Sequence, residues 1–279
     1  MHGGPAEGHG MRIAFQGERG AYSEEAILKH FGAAAEPIPR RTLRDVFTSV
    51  DRGEAEYGLL PAENTIEGSI TQTYDLLLES KLRIRGETIL RIVHCLLANP
   101  GVSFQDIKRV YSHPQALAQC SRFIERSNLE GVAAYDTAGS AKMLKEGNIR
   151  DAAAIAGRRA AEIYGLNILM EGIESNPENY TRFLIIGPED HPPTGRDKTS
   201  VAFNLEHSPG TLFKALKGFA EQAINLTKIE SRPIPGRPWE YTFYLDLEGH
   251  REEEPIKLAL DRLREASLKF KILGSYPRA

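Results

Sequence analysis

The 279-residue chain has little of several things that would narrow its function. Cysteine occurs twice, at Cys95 and Cys120, with no CxxC pair and no surrounding histidine pattern. That leaves no basis for a thiolate metal site or a disulfide framework, and two free buried thiols in a reducing compartment are expected. Neither sign of charge is in excess: 35 Lys and Arg against 38 Asp and Glu leave a formal −3. Nucleic acid and anionic membranes are therefore not expected as partners. Apolar runs such as Ala152–Ala156 and 183–186 fall far short of the roughly 20 residues that span a bilayer. Residues 1–10 hold Gly, His, Pro and Glu without an apolar stretch, so they read as a disordered extension and not as a secretory signal. A glycine-rich dinucleotide fingerprint, a P-loop and clustered metal-ligand spacing among the eight histidines are also missing, and no cofactor or metal is expected. The absences suggest a soluble, cytoplasmic protein, and its length suggests about two domains.

What is present is a beat of short apolar strands, each followed by a turn and a helical period. Strands are predicted at 12–16, 56–60 (ending at Pro61), 109–111, 132–135, 152–155, 168–171 and 181–186. Helices are predicted at 22–31, 69–79, 114–126, 138–146 and up to 164, and the long apolar segment 82–98 reads as two strands bending near Gly86. This alternation points to an α/β region. The stretch 187–197, with three prolines and two glycines, reads as a linker. Beyond it the order β-α-β-β-α-β over about 80 residues is the ferredoxin-like arrangement.

A small hydroxyl residue repeatedly follows a strand and precedes a helix: Ser23, Ser69, Ser112 and Thr137. Each can cap free amides, and several helix starts together can hold a small anion. Polar residues stand beside them that secondary structure does not require: Glu63 and Asn64, Gln115, and the pair Thr181-Arg182 at the start of an apolar strand. Arginine there can pair bidentately with a carboxylate, and threonine can serve a substrate hydroxyl. Ordinary caps and a surface arginine explain the same residues without any site.

These residues lie in segments that resemble prephenate dehydratase: Gly17-Glu18-Arg19-Gly20-Ala21-Tyr22-Ser23, Leu60 to Ser69, Ser112-His113-Pro114-Gln115, Asp136 to Ala141, and Asn179-Tyr180-Thr181-Arg182-Phe183. His207-Ser208-Pro209-Gly210-Thr211-Leu212 and Glu230-Ser231-Arg232-Pro233 resemble that family's ACT regulatory domain. Two positions depart mildly: Thr65 where the family often has Ser, and Thr211, in the effector loop, where a small Ala is common.

The resemblance implies a catalytic domain over 11–187 with two lobes like a type II periplasmic binding protein. One lobe takes about 11–90 plus 181–187 and the other about 91–180, with a linker at 188–197 and an ACT domain at 198–279. It implies decarboxylating dehydration of prephenate to phenylpyruvate in L-phenylalanine biosynthesis, without a cofactor. Thr181 then serves the leaving hydroxyl from the hinge, Arg182 anchors a carboxylate or braces the hinge, and Glu63 is a rival acid if burial raises its pKa. Ser23, Asn64, Ser69, Ser112, Gln115, Thr137 and Phe183 line the substrate site, and His113 is a structural neighbour of its cap rather than a base. L-Phenylalanine is the implied effector, held by Asn204, Leu205, His207, Pro209, Gly210, Thr211, Leu212, Glu230, Ser231 and Arg232. The ACT domains pair into a homodimer, or a tetramer built from it. Arogenate dehydratase, and a two-lobed binding or sensor protein without turnover, are the alternatives.

Overall fold

A computed structural model describes residues 10–234 and 236–279, so the expectation of a disordered extension falls almost wholly outside the described residues. The chain forms a mixed α/β fold with three sheets. The first has the order β2-β1-β3-β11-β5, from β1 (Arg12–Gln16), β2 (Glu36–Arg40), β3 (Tyr57–Asn64), β5 (Arg83–Arg91) and β11 (Tyr180–Gly187), with β4 (Gly68–Ser69) on β3. The second has the order β10-β6-β9-β7-β8, from β6 (Cys95–Ala98), β7 (Arg109–Ser112), β8 (Glu130–Ala133), β9 (Ala152–Ala156) and β10 (Asn167–Glu171). The third, from β12 (Asp197–Asn204), β13 (Leu226–Ile234), β14 (Arg237–Glu248) and β15 (Lys269–Pro277), has the order β13-β14-β12-β15 and is antiparallel throughout.

By internal contacts the chain divides into two compact units. One holds the residues up to Ser69 with Ile89–Phe183, and the other holds Ile70–Thr88 with Leu184–Ala279. In the first unit the chain leaves one sheet after Arg91, enters the next at Cys95, and returns from Glu171 to Tyr180. The two crossing segments lie side by side: Ile92 N donates to Asn179 O at 2.8 Å, and Gly172 N to His94 O at 3.0 Å. The second sheet packs Leu96, Val110, Ala153 and Ile155 against Ala116 and Cys120. In the second unit, α8 (Thr211–Glu221) and α9 (Glu254–Glu265) bury Ala215, Phe219, Ile256 and Leu263 against Val201, Phe203 and Leu245, giving the expected βαββαβ layer.

Several expectations need correction. Pro61 does not end its strand: β3 continues to Asn64, its register with β1 covering Tyr57 to Leu59 and its pairing with β4 starting at Glu63. The bend foreseen at Gly86 is absent, and β5 runs through it; a Cβ there would lie 3.0 Å from Ile185 Cδ1, so the glycine serves close packing. The break falls instead at 92–94, where the chain crosses between sheets. The helix foreseen over 114–126 is two, α4 (Pro114–Gln119) and α5 (Ser121–Arg126), parted at Cys120 with φ −104° and ψ 12°. Two elements were missed between Phe31 and Glu56, namely β2 and α2 (Leu43–Asp51).

Gly274 sits beside a bulge in β15, where the register with β12 shifts between Ser200 and Val201. A Cβ there would stand 2.0 Å from Ile84 O and 2.8 Å from Ile84 N, both backbone atoms that cannot step aside. Gly274→Ala is expected to lower stability by about 1–3 kcal/mol, read as a fall in the urea midpoint at unchanged slope.

Candidate active site

On β11 the residues Thr181 and Phe183 are buried while Tyr180 and Arg182 are half-buried, as expected when neighbours point to opposite faces. Asn64 closes β3, the strand next to β11. Its Oδ1 accepts from Ile66 N at 2.9 Å and Glu67 N at 3.2 Å, a turn-forming use of a short amide. With the carbonyl so engaged, Nδ2 faces the other way and donates to Asn179 Oδ1 at 2.8 Å, Tyr180 O at 3.2 Å and Thr181 Oγ1 at 3.0 Å. Thr181 Oγ1 is thus the acceptor in this bond, and its own proton is directed elsewhere.

The amides continue from there. Asn179 Nδ2 donates to Gln119 Oε1 at 2.9 Å, and Gln119 Nε2 donates to Glu67 Oε1 at 2.8 Å. Gln115 Nε2 donates to the other Glu67 oxygen, so two expected site residues and Thr181 belong to one connected group. Gln119 Oε1 also meets His94 Nε2 at 2.7 Å, and His94 Nδ1 meets the Tyr22 hydroxyl at 2.7 Å. Burial holds the His94 pKa below the usual histidine range and pushes that of Tyr22 up, so both rings are neutral.

Glu63 and Arg182 form an ion pair of 3.7 Å. Each precedes or follows a network residue by one position, so strand alternation sends this pair to the opposite face from Asn64 and Thr181. The two candidates for proton donation, Thr181 and Glu63, are therefore separated by the sheet.

None of the four hydroxyls foreseen as helix caps has that role. Ser23 lies inside the first turn of α1 (Tyr22–Phe31), whose N-cap is Ala21. Ser69 belongs to β4 opposite Glu63, and α3 (Thr71–Glu79) begins from Ile70. Ser112 donates to Ile155 O at 2.6 Å, leaving His113 Nδ1 as the cap that accepts from Gln115 N at 3.3 Å. Thr137 starts α6 (Thr137–Glu146), capped by Asp136 Oδ1 accepting from Gly139 N at 2.7 Å. At α4 and α6 a ring nitrogen and a carboxylate accept in place of the hydroxyl, and at α1 and α3 the N-cap residue makes no side-chain cap bond, so spacing misassigned all four. Among the described residues, no hydrogen bond joins Ser23, Ser112 or Thr137 to the Thr181 network. Sequence reasoning missed Tyr22, Glu67, His94, Gln119 and Asn179; Gln119 carried one signal, its i, i+4 relation to Gln115 on a helix. Both thiols are buried and free, and burial pushes each pKa up to about 12.

In the second unit, Arg232 grips Asp75 of α3 bidentately, at 3.0 and 2.7 Å. Glu230 pairs with Lys228 at 2.9 Å, whose ammonium lies 5.2 Å from the Tyr74 ring centroid. Along β13 exposure alternates, so Arg232 and Glu230 share a face while Ser231 takes the exposed one. Asn204 Nδ2 donates to Thr242 Oγ1 at 3.1 Å, and Gly210 precedes α8 with φ +83°, a left-handed value that favours glycine. Leu205 is buried in the third sheet's core and Leu212 packs against it, whereas His207 and Pro209 are exposed. A groove of about 460 Å³ lined by Arg158, Glu162, Leu166 and Ile168 contains none of the network residues and lies apart from this chemistry.

The sequence matches the family profile described as prephenate dehydratase over residues 13–191 and that of the ACT domain over 199–265. A bifunctional chorismate mutase/prephenate dehydratase of Aquifex aeolicus is 44% identical, over 96% of this chain and 74% of the relative. A chloroplastic arogenate dehydratase/prephenate dehydratase of Arabidopsis thaliana is 45% identical, over 98% and 74%. A prephenate dehydratase from Arthrobacter aurescens, solved in complex with L-Phe, superposes with a TM-score of 0.88 at 37% identity, over 96% of this chain and 90% of that one. A protein described as a novel type of quorum-quenching acylase superposes with a TM-score of 0.89, also at 37% identity, over 96% and 98%. With both profiles matched in order and these relatives aligned along nearly the whole length, the chain belongs to the prephenate dehydratase family of lyases and carries a C-terminal ACT domain.

Proposed function

We propose that the chain converts prephenate, with one proton, to phenylpyruvate, CO2 and water, and that Thr181 serves the departing hydroxyl. The ring carboxylate leaves as CO2, its bonding electrons enter the ring, and the ring C–O bond breaks as aromaticity forms. The hydroxyl needs a proton to leave as water. The observation that carries this role is the Asn64 amide donating to Thr181 Oγ1 at 3.0 Å, which leaves the threonine proton free to be given to a group other than Asn64. Threonine is a weak acid, so it acts as a donor relay replenished from solvent. Gln115 and Asn64 belong to the same group and are assigned to the substrate site, with Ser23, Ser69, Ser112, Thr137 and Phe183 as its further lining. Arg182, paired with Glu63, braces β11 against β3.

The regulatory reading places L-phenylalanine at 204–212 and 230–232, supported by the ACT match and by the L-Phe complex of the Arthrobacter relative. The outer strands β13 and β15, with the exposed Phe213 and Trp239, suit pairing of two copies through this region. The catalytic domain is taken as 11–187, the linker as 188–197 and the regulatory domain as 198–279. A cytoplasmic location fits the buried thiols and the charge balance, and among the described residues no helix is long and apolar enough to cross a membrane.

Purified protein given prephenate is expected to form phenylpyruvate, followed by its ultraviolet absorbance, and phenylalanine is expected to weaken turnover about 5- to 150-fold. Arogenate run in parallel decides between the two substrates, both of which appear in the Arabidopsis relative's name. Ligand binding without CO2 release overturns the catalytic reading, and an unchanged rate with phenylalanine overturns the regulatory one.

A further inference from the structure

Glu67 carries a charge where the chemistry above would not place one. It is exposed in the turn between β3 and β4, and a negative group beside an anion site repels a doubly acidic substrate. Both its oxygens are nevertheless taken by side-chain amides, one from Gln115 and one from Gln119. A carboxylate only accepts hydrogen bonds, so Gln119 must turn its NH2 toward Glu67 and its carbonyl inward. That carbonyl then receives Asn179 Nδ2 at 2.9 Å and His94 Nε2 at 2.7 Å. Asn179, its NH2 committed, turns Oδ1 to Asn64 Nδ2 at 2.8 Å. With the Gln119 carbonyl facing Nε2, the neutral His94 ring places its proton there and leaves Nδ1 to accept from the Tyr22 hydroxyl, which also lies within 3.1 Å of Val93 O.

The chain of amides is thus pinned at two ends. At one end the backbone N–H groups of Ile66 and Glu67 fix Asn64. At the other the Glu67 carboxylate fixes Gln119. The two pins agree on one direction of donation. A neutral amide at position 67 fits the same space but accepts or donates equally well, so Gln119 and Asn179 become free to reverse. Reversal sets the Asn179 NH2 against the Asn64 NH2, beside Thr181, and pushes Asn64 off its bond.

We propose that Glu67 is a positioning residue of the dehydration, whose charge sets the direction of hydrogen bonding along Gln119, Asn179 and Asn64 and so keeps the Thr181 proton free for a group other than Asn64. The inference rests on the assignment of Thr181 to the leaving hydroxyl. In the full chain, Glu67→Gln is expected to lower kcat on prephenate about tenfold with KM unchanged or lower, because a repelling charge is also removed. Glu67→Asp keeps the carboxylate and is expected to recover most of kcat. Nitrogen-15 NMR of the histidines, with the His94 signals identified by their loss in His94→Gln, should show a pure Nε2–H tautomer in the wild type and a mixture in Glu67→Gln. A kcat within twofold of wild type, a rise confined to KM, Glu67→Asp no better than Glu67→Gln, or an unchanged His94 tautomer overturns the proposal. A wild-type chain that leaves prephenate intact defeats the substrate reading instead, and the tautomer measurement then still decides the role of Glu67.

Discussion

Thr181→Ala is expected to lower kcat about 10²- to 10⁴-fold, the range in which proton donation to a leaving group contributes. Thr181 is buried and its side chain accepts one hydrogen bond, from Asn64, so the alanine removes a hydroxyl and a methyl without touching the β11 ladder. Far-UV circular dichroism and the unfolding midpoint should stay close to wild type. Thr181→Ser keeps the hydroxyl and should retain most of the activity, whereas Thr181→Val keeps the shape and should not. Near-normal turnover in the alanine variant removes Thr181 from the mechanism and turns attention to Glu63, on the other face of the sheet.

Asn64→Asp tests the same arrangement from the other side, and its effect should be of similar size. The substitution preserves shape but replaces a donor by an acceptor. Asn179 Oδ1 and Thr181 Oγ1 both lose the proton they receive, at 2.8 and 3.0 Å in the native protein. Thr181 then donates to the new carboxylate, and its proton no longer reaches the substrate. Turnover is expected to fall about 10²- to 10⁴-fold, as in Thr181→Ala. Unlike Thr181→Ala, this change leaves a buried acceptor unpaired and adds a charge beside it, so stability should fall by about 1–3 kcal/mol. Stopped-flow or steady-state kinetics with urea unfolding separates the two losses. Activity within tenfold of wild type would show that the direction of the Asn64 bond does not govern Thr181.

Much of the fold could be read from the sequence because its pattern is local. The alternation of apolar strands and helical periods recovered α1 (Tyr22–Phe31) and the βαββαβ order of the third sheet. What failed did so for identifiable reasons. Strand β2 reads Glu-Pro-Ile-Pro-Arg, and its two prolines hide a parallel partner of β1. Helix α2 carries a capping box between Thr42 and Asp45, a signal that was present and went unread. For the site, Asn64, Gln115 and Thr181 were named from the motifs, and the structure joins them in one network. Tyr22 lies within the Gly17 to Ser23 motif and His94 outside every motif, and their contact could not be read because they are 72 positions apart and meet through tertiary packing of two segments. Glu67 lies within the motif from Leu60 to Ser69, but its importance depends on which amides it faces.

The chain's two cysteines offer a means of watching one part of the protein move. Cys95 begins β6 and Cys120 parts α4 from α5, so both belong to the second sheet and its cover, and neither lies in the regulatory region. Fully enclosed and protonated, they react with a disulfide reagent only when their surroundings open. Their labelling rate under native conditions therefore clocks the opening of the second sheet and its covering helices, with no engineered probe. Repeating the measurement with substrate or phenylalanine present would report how each ligand tightens or loosens it.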